Sequence, residues 1–283
     1  MPDIALITDS ASDLDARLAA DAGIEIVPID VRLGDLGPDQ VRSLTPADFW
    51  QRCASGGAVP ETSAPSPGSF HAAFLRARDR GCTGVVCVTI SSSLSATYQA
   101  ACNGAQEAAG EIEVAVIDSR SASLGLGMAA LDGARRAAGG GGLEEVCGAV
   151  RDHLARTSIF GVLDTLEYLR RGGRIGAAQA VFGSLLSIKP VIQLRDGEVV
   201  AESKQRTRSR SIRYLVERVA KLGPLERLGV VHAAATDDDL ALLLDLVGSL
   251  EVAQAPIVGD FGPVIGAHTG PGTLALCAVQ PPA

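Results

Sequence analysis

Four short apolar runs punctuate the first half of the chain: Ile4–Ile7, Ile24–Ile29, Val85–Ile90 and Val114–Ile117. Each is too short for a globular helix and rich in β-branched residues, so each reads as a strand buried on both faces. The stretches between them carry helix punctuation. Ser12-Asp13 offers a cap for a helix running to about Ala22 and stopped by Gly23. Ser66 followed by Pro67 is a cap and first-turn pair for a helix through Phe70, Phe74 and Arg78, ending at Gly81. A third helix runs from about Ser95 to Ala109. Strands joined through helices require crossover connections, which means a parallel sheet covered by helices on both faces.

The second half differs in kind. After the glycine run Gly139–Gly142 and a helix over Leu143–Arg156, the runs Ile188–Leu194 and Val199–Ser203 flank Arg195-Asp196-Gly197-Glu198. Asp-Gly between two alternating segments predicts a tight hairpin. Helices near Arg208–Leu222 and Asp237–Leu250 surround a strand at Leu228–His232. The expected architecture is therefore α/β with two domains. Residues 1–155 form a parallel-sheet domain, and residues 156–283 an α+β domain with a partly antiparallel sheet.

With 47% hydrophobic residues in 283, the chain can bury two cores. A net charge of −8 opposes general attraction to nucleic acid or anionic lipid, and one Trp, three Tyr and six Phe leave few platforms for stacking bases. The six cysteines contain no CxxC pair and read as apolar fillers. The N-terminal Met1-Pro2-Asp3-Ile4 lacks a basic region and an apolar signal core, and the tract around Leu240–Leu250 is too short to span a bilayer. A soluble cytoplasmic protein without stable membrane insertion is expected. Phosphate-loop, HExxH and GxSxG patterns are absent from the sequence, and no metal or cofactor is called for.

Ligands of open parallel sheets collect at the carboxyl ends of strands. Ile7-Thr8-Asp9-Ser10 and Ile117-Asp118-Ser119 put Asp9 and Asp118 there, as helix caps or orienting groups. The same end receives Ser91–Tyr98 (SSSLSATY), directly after Val85–Ile90. A second hydroxyl-rich segment is Pro60–Phe70 (PETSAPSPGSF). Hydroxyls and free backbone N–H groups gathered at a strand-to-helix turn suit an anion or carboxylate. Thr62, Ser63, Ser92 and Ser95 are the candidates, and each also reads as a cap or turn former. His268 stands between Gly266-Ala267 and Thr269-Gly270-Pro271-Gly272, where glycines would let the backbone approach a ligand. Arg170, Arg171 and Arg174 surround Gly172-Gly173, either as a basic loop at a site mouth or as helix C-terminal charge. Lys204, Arg206, Arg208, Arg210 and Arg213 stand against Glu202, as a solvated face or as a dock for an acidic partner. Ala177–Ile188 is dense in small aliphatics that pack a core or line an apolar tunnel.

Thr62-Ser63, Pro65–Phe70, Ser91-Ser92 and Leu94–Gln99, together with Ile7–Ser10, Asp164–Ile175 and Gly262–Gly272, resemble the DegV family in the right order over nearly the whole chain. Ala96 departs from the pattern, standing where the family commonly has Gly. The resemblance implies a carrier that holds a long-chain fatty acid such as palmitate, with Thr62, Ser95 and His268 at the carboxylate and Ser63 and Ser92 nearby. It implies no chemistry by this chain: a separate ATP-dependent fatty acid kinase would phosphorylate the bound acid, docking by Arg174 and Arg206. Two other readings stay open on the residues alone. One is a serine-dependent acyl hydrolase or transferase using Ser95 or Ser92 with His268 as base. The other is a regulatory nucleic-acid-binding protein acting through the Lys204–Arg213 run.

Overall fold

A computed structural model of the chain describes residues 2–56, 59–182 and 188–282. In chain order the first elements are β1 (Ile4–Asp9), α1 (Ala16–Asp21), β2 (Ile24–Val27), β3 (Asp30–Arg32), α2 (Pro38–Arg42), α3 (Pro46–Gly56) and β4 (Glu61–Ser63). There follow α4 (Pro67–Asp79), β5 (Gly84–Thr89), α5 (Thr97–Glu107), β6 (Glu113–Asp118), α6 (Ser123–Ala138) and α7 (Leu143–Ala155). The remainder comprises β7 (Thr157–Val162), α8 (Glu167–Arg171), α9 (Ala178–Phe182), β8 (Lys189–Arg195), β9 (Glu198–Gln205), α10 (Arg208–Ala220), β10 (Arg227–His232), α11 (Asp237–Val247), β11 (Ile257–Asp260), α12 (Pro263–Thr269) and β12 (Leu274–Val279).

The chain divides into two compact units. The first joins Met1–Asp30 to Ser63–Ala155, and the second joins Val31–Thr62 to Arg156–Ala283. A single cut after residue 155 leaves residues 31–62 on the wrong side of this division, because α2, α3 and most of β4 go with the second unit.

The first unit is built on a parallel four-stranded sheet in the order β2-β1-β5-β6. Ile7, Val85 and Cys87 face Phe70, Phe74 and Ala101, so α4 and α5 cover one side. Leu6 meets α6 and α7 on the other, where a Cβ on Gly133 would lie 2.6 Å from Val150 and 2.9 Å from Leu6. Ser66 caps α4 as expected, accepting from the Ser69 N–H. The first helix departs from expectation: Asp15, not Ser12-Asp13, caps α1, accepting from the Arg17 and Leu18 amides, while Ser10–Ser12 forms a 3-10 turn. Strand β2 stops at Val27 because Pro28 has no N–H to continue a ladder.

The second unit holds a mixed six-stranded sheet in the order β11-β10-β12-β7-β8-β9, with only β10 and β11 parallel. Phe160, Val162, Leu274 and Leu276 pack under Ile212 and Leu215 of α10 and Leu243 of α11. The β8–β9 hairpin turns at Asp196 (φ 53°) and Gly197 (φ 85°), both left-handed as the Asp-Gly signal demands. Strands β3 and β4 pair with each other. Among the described residues no helix is long and apolar enough to cross a membrane.

Candidate functional site

The candidate polar side chains fall into two groups, one in each unit. In the first unit they collect at the carboxyl ends of β1, β5 and β6. Strand order reverses between β1 and β5, which is the switch point where open parallel sheets bind ligands. Asp9 ends β1 and is completely buried. Its Oδ1 accepts from Ala11 N–H at 2.9 Å and its Oδ2 from Ile90 N–H at 2.7 Å. Burial pushes its carboxyl up to about 6, against the opposing pull of those two amides.

The Ser91–Ser95 loop follows at once. Ser91 N–H donates to the Ser121 carbonyl at 2.9 Å, and Ser92 N–H donates to Asp118 Oδ1 at 3.0 Å. Ser92 is exposed and its hydroxyl donates to Asp118 Oδ2. Ser95 is half-buried. Its amide returns to the Ser91 carbonyl at 3.1 Å, and its hydroxyl lies 2.8 Å from that of Thr97. Asp9 and Asp118 thus orient backbone, as their positions at strand ends imply. Ala96 adopts φ −72°, a conformation open to any residue, so the departure from Gly costs this turn nothing. Ser63 lies exposed at the end of β4.

In the second unit Thr62, on β4, meets His268, on α12. Thr62 Oγ1 lies 2.8 Å from His268 Nε2 across 206 residues of sequence. Burial, then the nearby Arg174 charge, pushes the imidazole down to about 4, so it is neutral at physiological pH. His268 Nδ1 has no hydrogen-bond partner among the described residues and lies against Gly172, where a Cβ would overlap it. The glycines flanking His268 lie in close packing. A Cβ on Gly266 would lie 2.7 Å from Trp50, one on Gly270 would overlap the Tyr168 ring, and one on Gly272 would overlap the Asp164 carboxylate. Trp50, Tyr168 and Asp164 therefore seat the His268 segment. None of them carries a sequence signal of that role beyond its distant partner glycine.

The arginines sort themselves by partner. Arg170 and Arg171 both pair with Glu167 one turn earlier, and Gly172 caps α8, which is the helix-end reading. Arg174 is half-buried and donates to the Gly172 carbonyl at 2.5 Å, beside His268. The basic run is not one solvated face: Arg208 turns inward to Asp239 at 2.8 Å and to the Gly272 carbonyl, with Asp164 at 3.5 Å. Glu202 is held instead by Tyr214 and Arg218. Arg206 is exposed and makes no ion pair among the described residues. The tunnel-lining reading of Ala177–Ile188 falls largely on residues 183–187, which lie outside the described residues.

A hydroxyl, a neutral imidazole and a guanidinium together present donors suited to a carboxylate. They make a poor nucleophile–base pair. An imidazole pushed down to about 4 is a weak base, and no carboxylate orients its Nδ1. Neither Ser92 nor Ser95 has its hydroxyl on an imidazole: the first is bonded to Asp118 and the second to Thr97. Among the described residues no three metal-ligating side chains gather.

The family model for DegV, described as an uncharacterised protein family, matches residues 3–281. The chain belongs to the DegV family. A DegV domain-containing protein of Streptomyces coelicolor is 39% identical over 278 residues, covering 96% of this chain and 97% of the relative. The fatty-acid-binding DegV-family protein of Thermus thermophilus is 33% identical and superposes with a TM-score of 0.87, over 99% of this chain and 100% of that one. DegV of Bacillus subtilis, a fatty acid binding protein, is 26% identical with a TM-score of 0.85, over 99% and 100%. The two-unit α/β fold of this chain is thus that of the family.

Proposed function

We propose that this chain binds a long-chain fatty acid such as palmitate, through its carboxylate, and presents it to a separate ATP-dependent kinase. The observation that carries the reading is the fatty-acid binding of the Thermus thermophilus relative, which aligns over essentially the full length of both chains. The donor groups support it. In the second unit Thr62 and His268 are joined at 2.8 Å beside Arg174, and in the first unit Ser95 stands on a loop whose backbone is clamped on both sides. In this proposal each set is by itself a candidate for the head group, Thr62, His268 and Arg174 in the second unit and Ser95 in the first. Ser92 and Ser63, both exposed, stand as secondary candidates.

The free-energy source is the acyl chain. Each buried methylene contributes about 0.8 kcal/mol, from which the ordering of the chain subtracts. Charge-assisted hydrogen bonds then fix the orientation more than the affinity. A weak base and hydroxyls engaged with Asp118 and Thr97 favour a carrier over an acyl hydrolase. In this proposal the kinase forms the acyl phosphate, and Arg206, exposed and without an ion pair, with Arg174, forms its docking charge. Organic extraction of the purified protein followed by mass spectrometry tests the reading. Co-purified fatty acid is the expected result. No lipid, even after incubation with palmitate, overturns it.

A further inference from the structure

Three consecutive amides at the exit of β5 are captured by three different groups. Ile90 N–H goes to Asp9 Oδ2, Ser91 N–H to the Ser121 carbonyl and Ser92 N–H to Asp118 Oδ1. The last two partners come from the end of β6 and the turn beyond it, and they approach the loop from one side. Asp9 is the only one of the three on β1, the strand across the switch point. It differs from Asp118 in being wholly buried. A buried carboxylate is costly unless hydrogen-bonded, and Asp9 is held by two backbone amides, its own turn's Ala11 and the Ile90 that opens the loop. A carboxylate is the one short side chain whose two oxygens can accept from both at once.

We propose that Asp9 is the positioning residue of the Ser91–Ser95 loop: its carboxylate ties the Ile90 amide to the Ala11 amide across the β1–β5 switch point, and so fixes where the hydroxyls of that loop stand. Asp9 acts through the loop and touches no ligand itself. This deepens the fatty-acid reading only through Ser95; the tie itself stands without it.

The unaltered protein offers a direct test by amide NMR. Protonating Asp9 weakens both bonds together, so Ile90 and Ala11 amide protons, 79 positions apart in sequence, should titrate with one shared midpoint near 6. Cys87 on β5 is the titratable neighbour, and burial holds its thiol well above that range. Asp118 on β6 holds the Ser92 and Arg120 amides instead. The proposal fails if the Ile90 amide does not titrate, or does so with Ser92 rather than Ala11. Hydrogen exchange in Asp9→Asn supplies the second measurement. Exchange at Ile90–Ser95 should speed at least tenfold while Leu6 and Val86 in mid-strand keep their protection. Uniform loss of protection would mean a merely structural carboxylate and would overturn the proposal. If the loop loosens but palmitate binding is unchanged, Asp9 still positions the loop, and it is the head-group role of Ser95 that is lost.

Discussion

The two polar groups of this molecule are built on opposite plans. In the first unit, backbone amides at strand ends are gathered by carboxylates, and the side chains follow from the sheet's topology. In the second, the imidazole lies against Gly172, and glycines at 266, 270 and 272 seat its segment against Trp50 and against Tyr168 and Asp164 from a second, distant stretch of the chain. Burial acts on the key group in both, with opposite sign. It lifts the Asp9 carboxyl to about 6 and lowers the His268 imidazole to about 4, because each time the charged form is disfavoured. The first-unit loop depends on the carboxylates that hold its amides. The His268 segment depends on the absence of a Cβ at the glycines packed around it.

The sharpest way to break this contrast is Gly270→Ala. Gly270 combines φ 80° and ψ 169° with a Cβ position already filled by the Tyr168 ring. The strained backbone and the overpacking together should cost about 3 kcal/mol or more, measured by denaturant unfolding. Gly148→Ala, in α7 with open space at its Cβ, is the control and should stabilise by about 0.5–1 kcal/mol.

The pH dependence tests the opposed signs. Asp9 has a folded-state value raised from 3.8 to about 6, so the stability it contributes is fully present below 3.8 and is lost as pH rises through 6. The difference corresponds to about 3 kcal/mol. His268 has its value lowered from 6.5 to about 4, so its contribution is present above 6.5 and is lost as pH falls through 4. Unfolding free energies of Asp9→Asn and His268→Gln, each compared with the parent from pH 4 to 8, should therefore diverge from it in opposite directions. Two curves parallel to the parent would remove the contrast.

The smallest expected effect lies at the surface. Arg206→Ala should leave stability within about 0.5 kcal/mol of the parent. With the kinase proposed as its partner, it should slow acyl-phosphate formation at low salt, with the gap closing as salt rises and screens the charge. A parental rate at every salt concentration would remove Arg206 from the dock.

The contrast also explains what could be read from the sequence. The strands of the first unit, the Ser66 cap and the Asp196-Gly197 hairpin declare themselves through local patterns that the structure keeps. Helix α6 does not, because Gly125, Gly127 and Gly133 depress its propensity. Gly127 is there because a Cβ would meet the Ser12 carbonyl at 2.6 Å, a long-range reason invisible along the chain. Residues 31–62 hid their allegiance for the same cause. The meeting of Thr62 with His268 depends on a segment that leaves one unit for the other and returns. The seating role of Trp50, Tyr168 and Asp164 was silent because a seat against a glycine has no spacing to betray it. The candidate hydroxyls were legible as a chemical type and Asp118 as an orienting group, but the pairing of Ser95 with Thr97 was not.

Palmitate titration of the delipidated protein, beside Thr62→Ala and Ser95→Ala, tests the central claim most directly. The account predicts saturable binding by the parent. Thr62→Ala should weaken it by about 1–3 kcal/mol, since it also strips His268 of its partner, and Ser95→Ala by no more than that, with both variants folded like the parent. Parental affinity in both variants, or no saturable binding by the parent, would contradict it.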